Sequence, residues 1–418
     1  MLTLHPGTKL AEFHPPLIAS VHLNNPSQNA HSSQNTPTMT PHDCLVNEIL
    51  TEKQKKEIFK LILDYQDIFT FDKRTFRAAE ANFPLQRIPL LKNTPCYTPP
   101  YRVSQKERDI IDVHVDELLQ SNAIFPSNSL WGAPLILVKK KLTVFDKKQG
   151  ITNPTEYRVA VNFRKQNECL GLLHFELPKI HDILSGYANK KWFTSIDLTK
   201  FFNQIPLHPE TSECLSFSTH SGHYSFRCLP NGVHAGSSIA QSLIHSTFSD
   251  IPDVSCYVDD INLSSTTWEK HLKTLEKVFQ RCREKNLKIN PRKTTFCQNE
   301  AIIFGFRITP EGMEIDPEKI AAIKAYQRPK TKKQTRQWLG FANYFRNFAK
   351  NLSTVMAPLY EVAKPSQPSQ STSLKQQSFH SNKHKLISTN FKNSNAQMIG
   401  MQTLFQHLKT LRMHQETH

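Results

Sequence analysis

The chain has 418 residues, with 52 Lys+Arg against 36 Asp+Glu and a formal net charge of +16. Hydrophobic residues make up 38% of the chain and 26 residues are Phe, enough for a sizeable core, so disorder throughout is excluded. No apolar run nears the roughly 18 residues of a membrane span, and the N-terminal stretch lacks a basic region leading into an apolar one, which argues against a membrane-spanning or secreted protein.

Eight cysteines stand at 44, 96, 169, 214, 228, 256, 282 and 297, none in a CxxC pair. That spacing offers no zinc-finger or redox motif, and free thiols in a cytosolic or nuclear protein are the expectation. Cys214 and Cys256 lie inside apolar runs, where a cysteine behaves as a small core residue. The positive excess points to a polyanionic partner, with nucleic acid ahead of an anionic membrane surface.

Residues 1–44 are rich in His, Pro, Ser, Asn and Thr and read as a flexible tail. Residues 45–94 form a helical and extended lead-in. Ile49, Ile58, Leu61, Ile62 and Tyr65 recur there at helical spacing, with Thr51 as N-cap. After a proline-broken stretch over 76–100, SQKERDIIDVHVDELLQSNAIF predicts a helix capped by Ser104 and Glu107, with Ile111, Val115, Leu118 and Leu119 on one face. Strand texture then begins. APLILVKKK and YRVAVNF predict a long hairpin whose tip, LTVFDKKQGITNPTE, is basic. WFTSIDL is a further strand, and SCYVDDINLS predicts a tight hairpin with its acids at the turn. Leu272, Leu275, Val278, Phe279 and Cys282 form the apolar face of a helix. Short strands are expected at LKIN and AIIFGFRIT. A helix is expected to open at Asp316-Pro317-Glu318, and another to cover TKKQTRQWLGFANYFRNFA. Residues 365–418 are low-complexity, apart from a helix-like QTLFQHLKTL. Helices and strands mix without regular βαβ alternation, so the fold class is α+β.

The most informative feature is Asp259-Asp260. Two adjacent carboxylates between apolar flanks repel each other, and a cation should compensate. Mg²⁺ suits carboxylate oxygens and leaves room for substrate phosphates. Asp197 ends the strand WFTSIDL. If the two strands are neighbours, Asp197 and Asp259 can bracket two metal ions roughly 3.5–4 Å apart, as in-line phosphoryl transfer requires. An isolated Asp-Asp pair would otherwise be only a turn.

The ordered blocks FTSIDLTKFFNQIPLH, CLPNGV, CYVDDINL, LKINPRKTTF, FGFRITPEG and RQWLGFANYFRNF resemble the reverse transcriptase of gypsy-class LTR retrotransposons and retroviruses, over roughly residues 45–364. The resemblance implies a right-hand polymerase with an antiparallel palm sheet. Its fingers would take 95–173 and 206–236, its palm 174–205 and 237–312, and its thumb 313–364. It implies Asp197, Asp259, Asp260 and the Leu198 carbonyl around two Mg²⁺ ions, with Mn²⁺ as a substitute. Phe202 takes the place of the aromatic that excludes the ribose 2′-hydroxyl, although read alone it is an ordinary core Phe. Arg158 matches the arginine on the incoming triphosphate, where a planar fork suits phosphate. Lys147 or Lys148 matches the fingertip lysine. Asn231 lies near the nucleotide sugar. Phe304 and Gly305 match the hairpin that holds the primer terminus.

The chain departs from the family at Asn231, where Gln or Phe is usual, and at Asn162, where Asp is usual. Neither change removes a metal ligand; both could lower activity. No protease Asp-Thr-Gly or Asp-Ser-Gly triplet, zinc knuckle or integrase zinc spacing occurs, and QTLFQHLKTL resembles the start of the connection to RNase H. The expectation is therefore a piece of a pol polyprotein, acting in the cytoplasm or nucleus. Its partners would be an RNA or DNA template with primer, dNTPs, and other products of the same element. The contrasting expectation is a catalytically inactive remnant that only binds nucleic acid.

Overall fold

The fold is seen in a computed structural model, which describes residues 40–139, 157–325, 329, 331–344, 346 and 352–364. In chain order the elements begin with β1 (Leu45–Val46), α1 (Glu52–Asp64), α2 (Gln105–Gln120), β2 (Ile124–Pro126), β3 (Ala133–Lys139) and β4 (Tyr157–Val161). Next come α3 (Arg164–Asn167), α4 (Ile180–Ser185), β5 (Trp192–Asp197), α5 (Phe201–Gln204), α6 (Pro209–Cys214), β6 (Ser216–Ser218) and β7 (His223–Phe226). The centre is α7 (Gly236–Phe248), β8 (Val254–Tyr257), β9 (Asp260–Ser265), α8 (Trp268–Glu284) and β10 (Thr295–Gln298). Finally come β11 (Ala301–Ile303), β12 (Phe306–Thr309), β13 (Gly312–Ile315), α9 (Pro317–Ala325), α10 (Lys332–Asn343) and α11 (Leu352–Ala363).

Local signals set the helix starts. Thr51 caps α1 by accepting from the Gln54 amide, while the Gln54 side chain accepts from the Thr51 N–H at 3.0 Å. The same reciprocal pair joins Ser104 and Glu107 at α2. Ile58 and Ile62 are fully buried on α1, and Ile111, Val115 and Leu118 are buried on α2. Ile49 does not join the α1 face: the cap at Thr51 starts the helix two residues later, and Ile49 is 84% exposed. Residues 40–44, counted with the tail above, form a short 3₁₀ turn that buries Cys44. All eight cysteines are free thiols.

Three sheets follow. One has the order β2-β7-β6-β3-β4. Its β3–β4 hairpin is antiparallel, with Val138 opposite Arg158; the expected tip, Lys147 and Lys148 included, lies outside the described residues. A second has the order β1-β10-β5-β9-β8, antiparallel except for β1 against β10. The third is the meander β11-β12-β13. The segment LKIN is not a strand: Ile289 makes only single bridges to Phe69 and Leu198. Pro291 follows at once and has no N–H to extend a ladder. The helix α7 had no counterpart in the sequence reading, because Gly236, Ser237 and Ser238 open it without a side-chain cap.

α8 covers the second sheet through Leu275, Val278, Phe279 and Cys282, all fully buried. Beside them, fully buried His271 shares a 2.7 Å hydrogen bond with Thr194 on β5. Burial pulls its pKa down to about 4. An unfolded histidine titrates near 6.5, so the folded chain is the poorer proton acceptor. The stability tied to neutral His271 is intact above pH 6.5 and lost as pH falls through 4, about 3 kcal/mol in all. In urea titrations between pH 7 and 4.5, wild type should lose roughly 2–3 kcal/mol more than His271→Gln, which keeps a polar group for Thr194. Equal losses would show that His271 is not the titrating group.

Candidate active site

The acids converge where β5 and the β8–β9 hairpin end together. The register pairs Asp197 directly with Asp260, and Tyr257 with Asp260 on the other side. Val258 and Asp259 form the turn, and Val258 has φ +56°, in the left-handed region that β-branched residues avoid. Asp259 and Asp260 are exposed as residues, although surrounding atoms partly shield the Asp260 carboxyl from water, whereas Ile261 and Leu263 behind them are buried.

Desolvation and charge repulsion act together on the acids. The Asp260 carboxyl is pushed up to about 6, first by partial burial, then by the negative charges of Asp259 and Asp197, with Lys293 opposing. A divalent cation would relieve that repulsion, so the donor set fits one. Among the described residues, no group of three or more His, Cys, Asp or Glu is placed to hold a metal ion by itself. Mg²⁺ sites for phosphoryl chemistry need only one or two carboxylates and fill the rest with water and substrate phosphates.

A segment that carried no assigned role in the sequence reading cradles Asp197. Asn290 Nδ2 donates to one carboxylate oxygen at 3.0 Å, and Lys293 Nζ pairs with the other at 3.3 Å. The backbone repeats the clamp: the Asn290 N–H donates to the Asp197 carbonyl at 2.8 Å, and the Asp197 N–H donates to Thr294 Oγ1 at 3.2 Å. Leu198 is buried and bridges Ile289. The NPRKT spelling of this segment could have signalled a turn; its target 93 residues away could not be read.

The other expected residues surround this sheet end. Phe202, half-buried on α5, lies against the first residue of α7, where a Cβ on Gly236 would meet the Phe202 ring at 3.2 Å. Its neighbour Phe201 is the buried one. Arg158 is exposed on β4 and Asn231 is exposed in the loop before α7. That loop is held by Asn167, which donates to the Gly232 carbonyl at 2.9 Å and accepts from the His234 N–H at 3.1 Å. Asn167 was missed for want of any local signal. Asn162 donates to the Tyr101 hydroxyl at 3.1 Å. Phe304 and Gly305 make the β11–β12 turn with φ +53° and +77°. The Phe304 ring meets Tyr257 edge-on at 5.0 Å, and its carbonyl accepts from the Tyr344 hydroxyl at 2.7 Å. The structure therefore brings Asp197, Asp259, Asp260, Tyr257 and Phe304 to one place.

Comparison with known proteins bears on the family and the fold. Residues 145–343 match the family described as reverse transcriptase (RNA-dependent DNA polymerase). The retrovirus-related Pol polyprotein from transposon 412 of Drosophila melanogaster is 30% identical over 335 residues, covering 80% of this chain and 26% of that protein. Its counterpart from transposon gypsy of the same species is 29% identical over 326 residues, covering 76% of this chain and 30% of that protein. The chain thus spans about a quarter to a third of the length of these relatives. Among solved structures, the foamy viral protease-reverse transcriptase dRH in complex with ds DNA matches with a TM-score of 0.72 at 21% identity, covering 87% of this chain and 58% of that one. That likeness shows a right-hand polymerase fold.

Proposed function

The chain belongs to the reverse transcriptase family of retrotransposon and retroviral Pol polyproteins, and we propose that it is an RNA-directed DNA polymerase, transferring the nucleotidyl group of a dNTP to a primer 3′-hydroxyl on an RNA or DNA template, with pyrophosphate as the leaving group. The observation that carries this is the in-register pairing of Asp197 with Asp260, with Asp259 at the adjoining turn. Asp197, Asp259 and the Leu198 carbonyl would hold two Mg²⁺ ions, or Mn²⁺ in their place, with Asp260 beside them. Such ions supply an acidified 3′-hydroxyl and charge neutralisation on the transferred phosphate. Arg158 binds the triphosphate, joined by Lys148 of the β3–β4 tip, and Asn231 lines the sugar pocket. The Phe304-Gly305 turn seats the primer end, which its contact with Tyr257 supports.

In this reading the sheet β2-β7-β6-β3-β4 belongs to the fingers and the sheet bearing the acids to the palm. Ending the palm at Ile315 rather than 312 keeps the β12–β13 ladder whole. The lead-in contributes to the palm itself, since Leu45 pairs with Thr295. Affinity for template–primer would come from many Lys and Arg contacts to phosphates.

Primer extension on poly(rA)/oligo(dT) with Mg²⁺ tests the proposal. Salt-sensitive binding without extension in Mg²⁺ or Mn²⁺ would favour a nucleic-acid-binding remnant, with Asn231 and Asn162 the first residues to revert. Sugar selection is a separate check. A ring beneath the sugar leaves no space for one more oxygen, so Phe202→Ala should cut discrimination against ribonucleotides by about ten-fold or more. The acids are untouched, and dNTP incorporation should fall less. Unchanged discrimination in a competition between dTTP and UTP would leave Phe202 a packing residue.

A further inference from the structure

Gln241 is a buried amide with an unusual pair of partners. It sits on α7 with 1% of its surface exposed. Its Nε2 donates to the Cys256 carbonyl at 3.2 Å, and its Oε1 accepts from the Val258 N–H at 2.7 Å. Both partners are backbone groups of the acidic hairpin, and the second belongs to the residue just before Asp259. The β8–β9 register ends at Tyr257 and Asp260, so the Val258 N–H lies beyond the ladder. Val258 is also the residue held at φ +56°, which a β-branched side chain makes costly without outside support. The support is rigid: Ile239, Ala240, Ile244 and Phe248 anchor α7 in the core.

We propose that Gln241 is a positioning residue whose amide clamps the left-handed turn at Val258 and thereby holds Asp259 at the sheet end beside Asp197 and Asp260. The hairpin offers one acceptor and one donor, and the amide meets both at once. Glutamate would keep the bond from Val258 and lose the one to Cys256; leucine would lose both and leave two backbone groups unpaired. The consequence for catalysis rests on the polymerase reading, whereas the clamp is a property of the fold.

The test compares wild type, Gln241→Leu, Gln241→Glu, and each variant combined with Val258→Gly. Hydrogen exchange at the Val258 amide reads the clamp directly. Single-nucleotide extension reads kcat and the dNTP KM, and fluorescence anisotropy reads template–primer binding. In Gln241→Leu the Val258 amide should exchange at least about ten-fold faster, as a local opening would permit. Its kcat should fall about 10–100-fold, as misplaced catalytic groups do, with KM and template–primer Kd within about two-fold. Glycine takes positive φ without steric cost, so adding Val258→Gly should recover kcat several-fold. A plain packing defect would not be rescued by glycine on another element. If Gln241→Leu does not fold, Gln241→Glu carries the same measurements at smaller amplitude. Unchanged exchange at Val258, or a kcat loss that glycine does not relieve, would overturn the clamp. If wild type extends no primer, the polymerase reading fails, and the exchange data alone decide whether Gln241 holds the turn.

Discussion

Asp259→Asn should abolish primer extension, lowering the rate about a thousand-fold or more, while template–primer affinity stays within about two-fold of wild type. The size of the loss follows from what the carboxylate would do. Metal ions at such a site contribute several kcal/mol of charge stabilisation in the transition state, and a neutral amide is a poor ligand for Mg²⁺. Fold and affinity should survive because Asp259 is exposed at a turn and the substitution is isosteric. Binding draws on the +16 net charge spread over the chain. On a duplex DNA, log K should fall against log salt with a slope of roughly −0.9 per phosphate contacted, the same for both proteins. Removing one acid takes away a charge that repels template phosphates, so affinity should not fall. Single-turnover extension and anisotropy over a salt series measure the two halves. A variant that extends as well as wild type would remove Asp259 from the site.

The parts of this site legible in the sequence are those whose signals are local. The Asp259-Asp260 turn announced itself because acids interrupt an apolar run, and the caps at Thr51 and Ser104 because both partners lie within three residues. α8 was legible because its apolar face repeats at helical spacing and its length leaves no strand alternative. What could not be read depends on contacts far apart along the chain. β1 joins the sheet through a partner 250 residues away, at Thr295. Asn167 reaches 65 residues to Gly232, and Asn290 93 residues to Asp197. Gln241 carries no local signal at all, since its partners lie 15 and 17 residues away on the acidic hairpin. The adjacency of the two acid-bearing strands is intermediate: the sequence posed it as a condition for Asp197 and Asp259, and tertiary packing makes the strands neighbours with Asp260, not Asp259, directly opposite Asp197.

Phe279→Ala should show the opposite split, a large stability loss with chemistry retained in whatever remains folded. Phe279 is fully buried on α8. Its ring meets Phe69 edge-on at 5.4 Å and Phe296 at 6.2 Å, and lies 5.7 Å from Tyr65. These walls belong to the lead-in and to β10, so no single shift can close the space a methyl would leave. Large-to-small changes at such sites cost about 3–5 kcal/mol, and the lost aromatic pairs place this one toward the upper end. The melting temperature should fall by roughly 10 °C. The cavity also loosens Phe69, which bridges Ile289, which in turn bridges Leu198 next to Asp197. Extension by the variant should therefore match wild type well below its melting point and fail at lower temperature than wild type. Calorimetry with extension assays at 15 and 37 °C separates the cases. A fall of only a degree or two would mean that the lead-in collapses onto the sheet and that the aromatic cluster contributes little to the palm.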